Sequence, residues 1–246
     1  MLSTNKAPQR HLICLHGFLG LAEDWEKIEP VAPKGWNTVH ENLWAELADY
    51  KTWAEKFCER VAKLEGTKVV LGYSLGGRLA MHALAMRADL FSGAILVSCN
   101  PGLKTDEERS VRVVADHAWA EKFRKLPWED LMSEWSGQGA FAGLPSSIER
   151  KESEFDRELL AESLELWSLG YQRDLEKELS AVQLPILMIT GAKDTKFTAI
   201  ARAQVEKKSG SDRSLVVIKD AGHRVPWEAT AEFRTNVANF LSRWYR

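Results

Sequence analysis

The stretch Lys68–Met86, KVVLGYSLGGRLAMHALAM, constrains this chain more than any other. A short run of valine and leucine enters Gly72-Tyr73-Ser74-Leu75-Gly76, and a segment rich in Ala, Leu and Met with helical spacing leaves it. A strand that turns into a helix through a single serine holds that serine in a strained backbone, so the residues two before and two after it must be small. Gly72 and Gly76 meet that demand. The turn exposes the hydroxyl and sets it beside the free N–H groups of a helix start, which is what a reactive serine needs. The Gly-x-Ser-x-Gly spacing alone arises by chance; the strand before it and the helix after it make it specific.

Further strands are read at His11–Leu15, Gly93–Ser98, Pro185–Thr190 and Ser214–Lys219, with a weaker one at Trp36–Asn42. Helices are read over Tyr50–Leu64, Leu75–Ala88 and Ala229–Trp244. Short β-branched strands alternating with helices indicate an α/β fold with a mostly parallel sheet covered on both faces. The strands fall in two blocks. Residues 1–100 and 181–246 form the expected core, and residues 101–180, strand-free and rich in Trp, Glu, Arg and Leu, form an expected helical cap. Ligands of open α/β sheets bind at the carboxyl ends of the strands, so such a cap would roof the site.

A serine at an elbow needs a base and an acid, in the chain order Ser, acid, His. His223 lies in DAGHRVPWE, between the last strand and the final helix, and is the best placed of six histidines. Asp194, in PILMITGAKDTKF, follows the preceding strand. Asp220 competes, but it stands only three residues before His223, and a neighbouring loop orients the ring more readily. The Leu75 N–H, at the helix start, is one expected oxyanion donor. The loop LHGFLG after the first strand supplies the second, the Phe18 N–H, with His16 as a structural hydrogen-bonder. The expected catalytic set is therefore Ser74, Asp194 and His223, with Phe18 and Leu75 as the oxyanion hole.

Arg78 is awkward. A cation in the first turn of a helix opposes the helix dipole by roughly 0.3–1 kcal/mol. It is tolerable if the side chain reaches solvent. It also shares a helix face with Ser74, four residues earlier, and there it would line the pocket and bind a carboxylate. The second reading implies a small anionic carboxylate as substrate.

The formal net charge of the 246 residues is -2, which gives no global argument for nucleic acid or an anionic membrane as partner. No apolar run reaches the length of a membrane span, and the polar start MLSTNKAPQR lacks a signal-peptide core, so a cytoplasmic location is expected. Cys14, Cys58 and Cys99 have no metal-site spacing and are expected to be buried thiols. The sequence leaves the oligomeric state open.

The combined segments LHGFLGLAEDW, GYSLGGRLA, PGLKTDEERSVRVVADHAWAEKF, SLGYQRDL, GAKDTKF and AGH resemble the α/β-hydrolase superfamily and, within it, the MenH family of 2-succinyl-6-hydroxy-2,4-cyclohexadiene-1-carboxylate synthases. The resemblance implies an α/β-hydrolase fold and a lyase of menaquinone biosynthesis. Such a lyase eliminates pyruvate from a cyclohexene bearing an enolpyruvyl ether, a succinyl chain and a carboxylate, with the triad acting as base. It implies that Tyr73, Arg78, Arg112 and Trp135 contact the substrate, and that no metal or organic cofactor is needed. The family's Pro-Gly-His-Gly loop is replaced here by ENLWAELADY (Glu41–Tyr50), and a late basic cap residue aligns near Arg150 and Lys151. A carboxylesterase or thioesterase using the same triad is the alternative, and a non-catalytic binding protein a third.

Overall fold

The computed structural model describes residues 9–139, 148–207 and 212–244. In chain order the elements are β1 (Arg10–Leu15), β2 (Asn37–Glu41), α1 (Tyr50–Ala62), β3 (Thr67–Tyr73), α2 (Leu75–Arg87) and β4 (Gly93–Val97). Four helices follow: α3 (Asp106–Lys125), α4 (Trp128–Ser136), α5 (Arg157–Leu166) and α6 (Glu176–Ala181). The chain closes with β5 (Ile186–Gly191), α7 (Thr195–Glu206), β6 (Arg213–Ile218), α8 (Val225–Glu228) and α9 (Thr230–Trp244).

The strands form one sheet in the order β2-β1-β3-β4-β5-β6, and every pairing is parallel. Successive side chains of a strand point to opposite faces, and the apolar clusters follow that alternation. Ile13, Leu15 and Val70 pack with Trp53 and Phe57 of α1 and Leu79 and Met81 of α2. Leu12, Cys14, Val69 and Leu71 pack on the other face with Phe233, Val237 and Leu241 of α9. Both faces are thereby covered, as a parallel sheet requires. The three cysteines are buried and free.

The segment between β4 and β5 is helical, with an apolar cluster of its own: Ala120, Phe123, Leu131, Leu160, Ala161 and Leu164, joined by Leu19 of the loop after β1. α3 starts on a capping box, in which the Thr105 side chain accepts from the Glu108 N–H and the Glu108 carboxylate accepts from the Thr105 N–H. α6 departs from the expected cap span of 101–180. Leu175, Leu179 and Val182 bury themselves with α2 and the sheet, so the chain has rejoined the core layer by Leu175. α7 is a helix that the apolar pattern did not announce.

Candidate active site

Ser74 sits between β3 and α2 at φ 51° and ψ −109°, the strained geometry expected of the elbow. Its N–H donates to the Val97 carbonyl at 2.9 Å, which ties the turn to β4. The glycines are needed for approach. A Cβ on Gly72 would lie 2.6 Å from the Gly76 carbonyl oxygen, and one on Gly76 would lie 2.4 Å from the carbonyl oxygens of both Leu15 and His16. The same contacts press the start of α2 against the end of β1, which is how the loop after β1 comes to face the serine.

Ser74 Oγ lies 3.1 Å from His223 Nε2. His223 Nδ1 donates to Asp194 Oδ2 at 2.6 Å, and both side chains are almost fully buried. A carboxylate only accepts, so the ring proton sits on Nδ1 and Nε2 is left to accept from the serine. Asp194 Oδ1 also accepts from the Phe197 N–H at 3.3 Å, capping α7. Asp220 is exposed on the turn after β6. The three expected residues are thus brought together from three loops at the carboxyl ends of β3, β5 and β6.

Phe18 and Leu75 both line the cavity above Ser74. Leu75 opens α2, where the first backbone N–H groups have no acceptor within the helix. A Cβ on Gly17 would lie 2.7 Å from the Tyr73 ring, so the loop carrying Phe18 can approach the elbow only through glycine. His16 fixes that loop. Its Nε2 accepts from the Leu43 N–H at 3.1 Å and its Nδ1 donates to the Gly17 carbonyl at 2.8 Å, which requires a neutral ring. Burial lowers its pKa to about 4. His82, stacked on Tyr50, is lowered to about 3 by burial and nearby arginines.

These rings must gain a proton on acid unfolding. Each contributes stability that is full above its ordinary pKa of about 6.5 and is lost as pH falls toward the folded values. For His16 alone the loss amounts to roughly 3 kcal/mol. We expect Tm, followed calorimetrically, to fall steadily from about pH 6.5 to 4. A Tm flat across that window would contradict the neutral, buried His16.

The cavity has a volume of about 930 Å³. Tyr73, Arg78, Arg112 and Trp135, the four expected substrate contacts, all line it. Arg78 faces inward: its Nη1 donates to the Tyr50 hydroxyl at 2.6 Å and its Nη2 to the Trp167 carbonyl at 2.9 Å. Arg112 on α3 reaches the same cavity, and its Nε donates to Asp116 at 2.7 Å. Trp135 packs on Phe18 with 4.8 Å between ring centroids. Of the two basic residues near the late cap, Lys151 stands at the cavity with its side chain exposed. Arg150 lines the cavity but is held by the buried Asp24, both carboxylate oxygens accepting from its guanidinium. Burial alone would raise the Asp24 carboxyl. The Arg150 guanidinium, the Leu21 N–H and Lys27 outweigh it and hold the group below the usual carboxylate range.

Sequence reasoning missed Trp44, Trp227, Asp24, Tyr50 and Asp116. Trp44 belongs to the stretch that replaces Pro-Gly-His-Gly. It donates to the Gly20 carbonyl at 2.7 Å and packs edge-on against Phe18. Trp227 packs against Tyr73 and donates to the Asp24 carbonyl at 3.2 Å. A large aromatic outside the strands and helices read from the sequence is the only signal either one gives. Among the described residues no cluster of His, Cys, Asp and Glu is placed to hold a metal ion, and no helix is long and apolar enough to cross a membrane.

Residues 12–235 match the model of the alpha/beta hydrolase family. The 2-succinyl-6-hydroxy-2,4-cyclohexadiene-1-carboxylate synthase of Pectobacterium atrosepticum is 32% identical over 95% of this chain and 94% of its own length. The synthase of that name from Salmonella paratyphi C is 29% identical over 94% of this chain and 93% of its own. Among solved structures, MenH from S. aureus superposes with a TM-score of 0.87 at 22% identity, covering 98% of this chain and 97% of that one.

Proposed function

The chain belongs to the alpha/beta hydrolase family, and we propose that it is a 2-succinyl-6-hydroxy-2,4-cyclohexadiene-1-carboxylate synthase. Its substrate is then a cyclohexene carrying an enolpyruvyl ether, a succinyl chain and a ring carboxylate. His223, oriented by Asp194, draws the proton from Ser74 as the serine oxygen takes the ring proton beside the succinyl carbonyl. The Phe18 and Leu75 N–H groups receive the negative charge that develops on that carbonyl oxygen. The electron pair moves through the ring double bond, the carbon–oxygen bond to the enolpyruvyl group breaks, and pyruvate leaves after protonation of its enolate. No covalent enzyme intermediate forms.

One observation carries this reading beyond the fold. Arg78 stands one helical turn from Ser74, lines the serine's own cavity, and has no carboxylate partner among the described residues. A guanidinium held by a phenol and a carbonyl keeps its charge for a ligand. An esterase acting on apolar acyl groups has no use for that charge beside its nucleophile. Pyruvate released from the enolpyruvyl substrate and read with lactate dehydrogenase tests the proposal. Rapid ester cleavage without pyruvate would favour the carboxylesterase reading. Arg78→Met keeps the length of the side chain and removes its charge. We expect KM for the enolpyruvyl substrate to rise by roughly 30-fold or more, as expected for loss of a charge-assisted contact. An unchanged KM would remove Arg78 from the substrate site.

A further inference from the structure

Arg78 and Arg112 come from different layers of the molecule. Arg78 is on α2, under the sheet's carboxyl edge, and Arg112 is on α3, in the helical insertion. One short segment, Trp167–Gly170, joins them. The Trp167 carbonyl accepts from Arg78 Nη2 at 2.9 Å and from the Tyr50 hydroxyl at 2.8 Å. The next residue, Ser168, donates its hydroxyl to Asp116 Oδ2 at 2.7 Å, and that same oxygen accepts from Arg112 Nε at 2.7 Å. The Gly170 N–H donates back to Ser168 Oγ at 3.1 Å. A Cβ on Gly170 would lie 2.5 Å from the Arg109 carbonyl of α3, so the segment lies directly against that helix.

The charges do not balance within this network. Asp116 is buried and engages Arg112 through Nε alone, which leaves the two Nη groups for a ligand. Arg78 has only neutral acceptors. Two guanidiniums therefore share one carboxylate, and the cavity keeps a net positive charge although the chain as a whole is acidic. Tyr50 must act as donor and acceptor at once, and burial, which pushes its pKa up to about 12, keeps it a phenol.

Resting on the function proposed above, we infer that Tyr50 and Asp116 are positioning residues. Tyr50 aims Arg78 and Asp116 aims Arg112, and the Trp167–Ser168 peptide sets the separation at which the pair meets two carboxylates of one ligand. Tyr50 is not part of the cavity wall, and Asp116 meets the cavity only as a buried side chain turned to Arg112 and Ser168. Both act through an arginine, and fixing the arginines before the ligand arrives removes an ordering penalty from binding.

Calorimetric titration of the full chain with phthalate, a rigid dicarboxylate, tests the inference without requiring turnover. Tyr50→Phe and Asp116→Asn are each expected to weaken phthalate about tenfold, the scale of one charge-assisted hydrogen bond. In pyruvate release each is expected to raise KM to a similar extent, with kcat within about twofold, since uniform binding is what is lost. Tyr50→Phe placed on Arg78→Ala should cause no further loss of affinity, because its effect passes through the missing guanidinium. A merely structural tyrosine would lower affinity additively. Asp116→Asn also discriminates by sign: removal of a neutralising charge alone would tighten phthalate, and loss of aim weakens it. Should either variant fail to fold, Ser168→Ala removes one donor from Asp116 and is expected to weaken phthalate roughly threefold. Unchanged affinity in Tyr50→Phe, tighter binding in Asp116→Asn, or no phthalate binding by the wild type overturns the inference. Phthalate binding with the expected losses but without pyruvate release rejects the reaction and leaves the arginine pair standing.

Discussion

Ser74→Ala is expected to lower kcat for pyruvate release by a factor on the order of 10³–10⁴ while leaving the fold intact. The substitution removes one oxygen, 3.1 Å from His223 Nε2. His223 is almost fully buried, and its Nε2 is the atom that faces Ser74 Oγ, so without the serine oxygen the relay from the ring proton to His223 is broken. The alanine Cβ occupies the place of the serine Cβ, and the contacts that hold the elbow, Ser74 N–H to Val97 and Arg78 N–H to the residue 74 carbonyl, are backbone bonds that survive. The circular dichroism spectrum, Tm and phthalate affinity of the variant should therefore match the wild type. Activity within tenfold of wild type would mean that another group removes the proton.

Asp194→Asn should lower kcat by a comparable 10³–10⁴-fold, for a reason written in two hydrogen bonds. Asp194 presents two oxygens: Oδ2 to His223 Nδ1 and Oδ1 to the Phe197 N–H that starts α7. Asparagine has one oxygen and one NH₂ group. If the oxygen keeps the helix cap, the NH₂ group faces His223 Nδ1, and the ring must move its proton to Nε2, where it can no longer accept from Ser74. If the oxygen keeps His223, the helix loses its cap, at a cost of about 1 kcal/mol in stability. Steady-state kinetics together with the nitrogen chemical shifts of His223 separate the two outcomes. A variant with full activity and no loss of stability, or one inactive with Nδ1 still protonated and the cap retained, would contradict this role for Asp194.

The elbow was legible in the sequence because its constraint is local. Gly72 follows from sterics within the turn, where a Cβ would meet Gly76 and Gly77, and the spacing marks Gly76 with it although the Gly76 contact is with Leu15 and His16 of the neighbouring strand end; valine and leucine before the turn mark a buried strand. The expected order of serine, acid and histidine works for the same reason: each residue follows its own strand, so a correct reading of the strands puts all three at one edge of the sheet. α7 stayed hidden because Thr195–Glu206 buries only Ala201 and Gln204, too little to leave an apolar stripe. α6 looked like part of the cap because its neighbours in sequence are helical, and only the burial of Leu175 and Leu179 reveals which layer it joins. The partners of the arginines were illegible for a further reason. Tyr50 and Arg78, and Asp24 and Arg150, lie far apart in the chain, and a polar pair made by tertiary approach has no period to betray it; Asp116 stands four residues after Arg112 on α3, a spacing shared by many surface pairs, and only its bond to Ser168 sets it apart. Arg78 drew notice because a cation stood where local electrostatics disfavour one, and its shared helix face with Ser74 agrees with its place in the cavity wall.

The central claim is that this α/β-hydrolase site performs an elimination with Ser74 as its base. Purified wild-type protein mixed with the enolpyruvyl cyclohexene carboxylate, with pyruvate and ring-diene absorbance read together, tests it most directly. The account predicts one pyruvate for each diene formed, at a rate abolished by Ser74→Ala. Failure to form pyruvate or diene, alongside rapid Ser74-dependent cleavage of p-nitrophenyl esters, would contradict it.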